Sequence, residues 1–168
     1  MSLSMARAPR AGALSYLWVT LLIIVLDQGT KALIQSSLRL YQVIELLPVL
    51  DLTRIYNRAA AFSFLGDASG WQRWMFAALA AIVSLLLVLW LRRMDARARL
   101  LATGAALILG GALGNLIDRL RLGRVIDFVW AHWGPHYFPA FNVADSAITI
   151  GAVLWLLDAW LEARRQDR

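Results

Sequence analysis

Apolar residues come in four long blocks separated by short polar punctuation, and this pattern decides the fold class before any motif does. The blocks cover about 15–34 (SYLWVTLLIIVLDQGTKALI), 71–91, 100–120 and 141–161. Each approaches the roughly 20 residues with which a helix crosses a bilayer core of about 30 Å. A helix satisfies its own backbone in lipid, whereas a lone strand does not. A membrane barrel would need alternating segments of about 10 residues, and these blocks do not alternate. The pattern predicts an integral membrane all-α protein, one membrane-embedded domain over 1–168 with four transmembrane helices.

The connection between the first two blocks, about 35–70, is long enough to carry structure of its own. Within it LDLTRIY (50–56) alternates as a strand does, with Pro48 just before it. Residues 67–70 read as a turn into the second helix. Trp71 and Trp74 suit one interface and Trp90 the other, as amphipathic rings do. The connection between helices three and four carries Trp130, Trp133, Tyr137 and Phe138 with Pro135 and Pro139, which suits a loop lying in the interface.

Hydrophobic residues make up 60% of the chain, more than a soluble domain of this size can bury. The net charge of +6 would suit a nucleic-acid partner, but the arginines sit at helix ends and none is expected. Arg92, Arg93, Arg97 and Arg99 fill the short link between helices two and three. With Arg7, Arg10, Arg164, Arg165 and Arg168 they put nine basic residues on one side, in short segments. Such density orients helices, so both termini are expected in the cytoplasm and the other two connections outside. Arg7 and Arg10 ahead of an apolar stretch resemble a secretory signal, but no small-residue cleavage pattern closes it. There are no cysteines, which removes a thiol nucleophile, thiolate metal sites and disulfides.

Polar residues inside the blocks carry the candidate chemistry. Asp27 and Lys31 are four apart and share a helix face, where a pair costs less than either charge alone. They read first as a pin between helices; Lys31 beside Ser36 or Ser37 would be needed for a serine–lysine protease. Gly110 and Gly114 form a small-xxx-small pair that permits close packing. Gly111, Asn115 and Asp118 fall on one face of helix three, and with Arg119 they suggest a polar network or a contact to substrate backbone. His132 and His136 have metal-ligand spacing for a helix, but Trp133-Gly134-Pro135 between them speaks against one, and no metal site is expected.

Two acids remain. Asp127 lies in RVIDFVW just past helix three, and Asp145 in the first turn of helix four, where Asn142 three residues earlier would cap it. Two carboxylates at one depth, at opposite ends of one loop, suggest convergence. At about 5 Å and an effective dielectric near 20 they repel by about 3 kcal/mol, which separates their pKa values by roughly two units. Such a pair can deprotonate water for attack on a carbonyl and protonate the leaving amine.

These residues resemble those of bacterial lipoprotein signal peptidase (signal peptidase II), an intramembrane aspartic protease family. The matching stretches are Leu26-Asp27-Gln28-x-x-Lys31, Asn57 through Ala61-Phe62, Gly110-Gly111-x-x-Gly114-Asn115-x-x-Asp118-Arg119, Val125-Ile126-Asp127-Phe128 and Phe138 through Ser146. They occur in family order over about 14–160; each fragment alone is weak, and five in order are specific. The resemblance implies Asp127 and Asp145 as the catalytic dyad, and Asn57, Gly111, Asn115, Asp118, Arg119 and Asn142 as substrate or dyad support. Asp27 and Lys31 would support the fold. It further implies a small β-rich periplasmic cradle between helices one and two, no cofactor, and a monomer in the bacterial inner membrane with its site near the periplasmic face. The partners implied are membrane lipids and diacylglyceryl-modified prolipoproteins, cut just before the lipidated cysteine. Two positions depart from the pattern: Ala59 stands where the family has glycine, and Gly29 where a larger residue is common. The competing readings are a small transporter or proton-conducting bundle, motivated by the intramembrane charges, and a membrane scaffold indifferent to loss of either acid.

Overall fold

A computed structural model describes residues 12–57 and 70–166. Ala59, Ala61, Phe62, residues 67–69 of the turn expected before the second helix, and Arg7, Arg10 and Arg168 lie outside the described residues. A short 3₁₀ turn, Ala13–Tyr16, leads into α1 (Leu17–Ser37), followed by strands β1 (Val43–Leu47) and β2 (Leu50–Asn57). Then come α2 (Trp71–Arg93), α3 (Arg99–Leu122), β3 (Val125–Trp133), β4 (His136–Tyr137) and α4 (Val143–Gln166). All four helices are long and apolar enough to cross a membrane. Their outward faces are large and apolar, as at Leu21, Val25, Leu86 and Leu156, which is the surface lipid requires.

α3 is the hub and packs against each of the other three helices. Its sequence makes that possible, because Gly110 and Gly114 let α1 approach while Gly104 and Gly111 do the same for α4. An added Cβ at Gly110 would lie 2.8 Å from Ile23 Cβ, and one at Gly104 would lie 2.8 Å from the Gly151 carbonyl. Close backbone approach of this kind replaces the hydrophobic drive that lipid removes. The remaining core is apolar, with Leu91, Ala102, Ala105 and Leu109 packed around the 3₁₀ turn.

At one end of the bundle lies an antiparallel sheet ordered β1-β2-β3-β4. The strand expected over 50–56 is β2. The connection between helices three and four, expected as an interfacial loop, instead forms β3 and β4, so the cradle draws strands from both long connections. The reason is the termination of α3: Gly123 adopts a left-handed conformation (φ 73°) and its N–H returns to the Arg119 carbonyl. The chain bends at that cap and enters β3 two residues later. Arg54 on β2 donates to the carbonyls of Gln35 (3.2 Å) and Leu38 (3.0 Å), tying the sheet to the end of α1. Leu52 and Val129 pack on Ile34, Leu38 and Phe128 to close the joint.

Candidate active site

Asp127 sits on β3, not in a loop, and is 2% exposed. The β2–β3 register pairs Asn57 with Val125, which makes Asn57 the diagonal neighbour of Asp127. Asn57 Nδ2 accordingly donates to Asp127 Oδ2 at 3.0 Å. The chain returning from β4 is stitched to β3 at Phe141, whose carbonyl accepts the N–H groups of Phe128 and Val129. That stitch brings Asn142 beside Asp127, and α4 begins at the next residue.

Asn142 is fully buried and serves both acids. Its Oδ1 accepts the N–H of Asp145 at 2.9 Å, the expected N-cap. Its Nδ2 donates to Asp127 Oδ1 at 2.7 Å. Asp145 receives Asn115 Nδ2 at 2.7 Å and the backbone N–H of Asn142 at 3.3 Å. Burial, and after it the neighbouring Asp145 charge, push the Asp127 carboxyl up to about 7; the Asn57 and Asn142 hydrogen bonds oppose that rise. The arrangement can therefore hold a proton at neutral pH on an acid that faces a second acid.

Behind this pair lies a buried charge cluster. Lys31 Nζ is 2.8 Å from Asp27 Oδ2 and 2.9 Å from Asp118 Oδ2, and it donates to Asn115 Oδ1 at 3.0 Å. Gln28 Nε2 lies 3.1 Å from Asp27 Oδ2 and 3.0 Å from Asp118 Oδ1. The sequence marks Gln28 only as part of the Leu26-Asp27-Gln28 stretch and assigns it no role in the site. Its signal was present in the Asp27-Gln28 dipeptide, but its reach to α3 depends on the glycine-permitted approach of α1.

A cleft of about 540 Å³ opens over the two acids. Asn57, Asn115, Arg119, Asp127 and Asp145 form its polar wall, and residues such as Phe138, Phe141 and Ile148 its apolar one. Arg119 lies over Phe76 (5.4 Å to the ring centroid) and donates to the Asn115 carbonyl. Gly111 lies under the first turn of α4, against the Ala144 carbonyl.

The other candidates fall elsewhere. The Ser36 hydroxyl donates to the Leu33 carbonyl on an exposed face, and Lys31 points to its carboxylates instead. His132 and His136 flank the β3–β4 turn, with His132 stacked on Tyr137 and 3.4 Å from the buried Asp51. Among the described residues no three His, Asp or Glu side chains gather as a metal group. The Asp51–His132 contact was not anticipated, because it spans β2 and β3 and needs their register.

Residues 19–161 match the family described as signal peptidase (SPase) II. The chain is 51% identical over 162 residues to a lipoprotein signal peptidase of Pseudomonas putida, covering 95% of each. It is 56% identical over 151 residues to one of Pseudomonas aeruginosa, covering 89% of each. Its fold is similar to a solved bacterial membrane enzyme at 2.3 Å resolution, with TM-score 0.80, 27% identity, and 95% of this chain and 96% of that one covered. Four spanning helices, a sheet at one end and this match along the chain lead to one conclusion: the protein belongs to the signal peptidase II family, membrane proteases of lipoprotein processing.

Proposed function

We propose that the protein is an aspartic endopeptidase that removes signal peptides from diacylglyceryl-modified prolipoproteins, cutting just before the lipidated cysteine. The observation that carries this reading is the buried Asn142, one side chain bonded to Asp127 and to the backbone of Asp145, the two acids on the polar wall of the cleft. Asp127 and Asp145 act as the dyad, sharing one proton. Asp145 takes a proton from water as the oxygen attacks the scissile carbonyl carbon. Asp127 gives its proton to the carbonyl oxygen. As the tetrahedral diol collapses, the C–N bond breaks and the amine nitrogen takes the proton from Asp145, while a diol hydroxyl returns its proton to Asp127 as the C=O bond re-forms, so the pair again holds one proton.

The apolar wall of the cleft suits lipid chains and the small residues before the cysteine, so binding energy positions the scissile bond. Arg119, Asn57 and Asn115 orient the substrate backbone or the dyad. The distribution of basic residues supports both termini in the cytoplasm and the sheet end, with its site, at the periplasmic face of the inner membrane. One domain over 1–168, working as a monomer with membrane lipids and without nucleic acid, completes the proposal.

The test is incubation of the purified protein in lipid nanodiscs with a diacylglyceryl-modified prolipoprotein, with and without chelator. Cleavage before the modified cysteine, unchanged by chelator and lost in Asp127→Asn and Asp145→Asn, is the expected result. Ion flux in liposomes without cleavage would replace this reading with a transporter.

A further inference from the structure

The buried charges behind the dyad have backbone partners. Asp27 Oδ1 accepts the N–H of Ala144 at 3.0 Å, and Ala144 immediately precedes Asp145. Asp118 Oδ2 accepts the N–H of Ile126 at 3.2 Å, and Ile126 immediately precedes Asp127. Lys31 lies between these two carboxylates, and Gln28 bonds to both. Each acid of the cluster thus holds the backbone one residue before one acid of the dyad, and a single ammonium fixes the distance between the two holds.

Packing alone does not call for this. Replacing buried ion pairs by well-packed apolar residues is often neutral or stabilising, so charge here is weak evidence for stability as such. Asp27, Lys31 and Asp118 are each at most 2% exposed, where any apolar trio could join α1 to α3. What an apolar trio lacks is an acceptor for two backbone N–H groups and a donor for Asn115. An ammonium only donates, so Asn115 Oδ1 must face Lys31 and Nδ2 must turn to Asp145.

We propose that Asp27, Lys31 and Asp118, bridged by Gln28, form a calliper that sets the spacing and hydrogen bonding of Asp127 and Asp145. They are positioning residues for cleavage, beyond pinning one helix to another. The inference rests on the dyad proposed above, since it concerns the geometry of that pair.

The experiment measures kcat and KM on the lipidated peptide for Lys31→Met, Gln28→Leu, Asp27→Asn and Asp27→Leu. Alongside, infrared spectroscopy follows the protonated-carboxyl band of each variant against pH, a readout that needs no turnover. Misplacement of reacting groups by about 1 Å costs about 10²-fold in rate, so Lys31→Met should lose kcat on that scale with KM nearly unchanged. Its carboxyl titration should move from the wild-type midpoint. Asp27→Asn, which keeps an oxygen for the Ala144 N–H, should retain more kcat than Asp27→Leu. If Lys31→Met does not fold, Gln28→Leu removes the bridge without removing a charge and should also move the titration from the wild-type midpoint. Folded variants with wild-type kcat and an unmoved titration would overturn the calliper. A wild-type protein that cleaves nothing sinks the proposed function, while the infrared titration still decides the calliper.

Discussion

Asn142 donates through Nδ2 to Asp127 Oδ1 at 2.7 Å while its Oδ1 accepts the N–H of Asp145. The orientation of this amide is fixed, because a backbone N–H is only a donor and must meet the oxygen. Nδ2 is left to face Asp127. One residue thereby caps α4 and couples the start of that helix to the middle of β3.

Asn142→Ala separates those two tasks by their sizes. Loss of an N-cap costs about 1 kcal/mol of stability, a modest change in thermal unfolding in detergent. Loss of the link lets the acids drift, and cleavage should fall about 10²-fold. Unfolding midpoints and initial rates on the same samples check this. A rate loss no larger than the loss of folded protein would mean that the amide is only a cap.

Asp127→Asn and Asp145→Asn keep shape and remove one carboxylate each. General acid–base steps contribute about 10²–10⁴-fold, and both variants should lose at least that much while remaining inserted and helical by circular dichroism. Full activity in either one contradicts the dyad.

The four helices were legible because lipid imposes one rule on every residue of a span: backbone satisfied internally, side chains apolar. β2 was legible from alternation between 50 and 56. β3 was not, because its residues Val125 to Phe128 are all buried and give no alternation to read. Of the candidate site, Asp127, Asp145 and the Asn142 cap stand out by position, as an acid at a helix start or beside apolar neighbours does, while the dyad role comes from the family resemblance. The roles of Gln28, Ala144 and Ile126 were not legible, because a backbone N–H carries no sequence signature and its partner lies on another element.

The glycines of α3 give a stability prediction with an internal control. Gly111→Ala drives a methyl into the Ala144 carbonyl, and Gly114→Ala places one 2.6 Å from Asp27 Oδ2. Overpacking typically costs about 1–3 kcal/mol, and both sites border the calliper, so activity should fall with stability. Gly29 on α1 meets nothing within 4 Å of an added Cβ. Gly29→Ala should be neutral or stabilising by up to about 1 kcal/mol through helix propensity, with wild-type cleavage. Equal losses in all three would contradict this assignment of packing faces.

The pH dependence follows from Asp127, raised to about 7 chiefly by burial and next by the Asp145 charge. The folded state holds this proton more tightly than the unfolded chain, whose carboxyl titrates near 3.8. Its contribution to stability is therefore fully present below that value and is lost as pH rises through about 7. In the proposed mechanism cleavage should follow the same limb, because above about 7 Asp127 no longer carries the proton intended for the carbonyl oxygen. The rate should thus decline on the alkaline side of neutrality. Asn57 provides the sign test. Its hydrogen bond favours the charged form of Asp127, so Asn57→Ala should move the alkaline limb of kcat/KM to higher pH even as the maximal rate drops. Asp145→Asn, inactive but folded, should move the infrared titration of Asp127 the other way by removing the neighbouring charge. A limb that stays in place in Asn57→Ala, or moves to lower pH, would show that another group controls it.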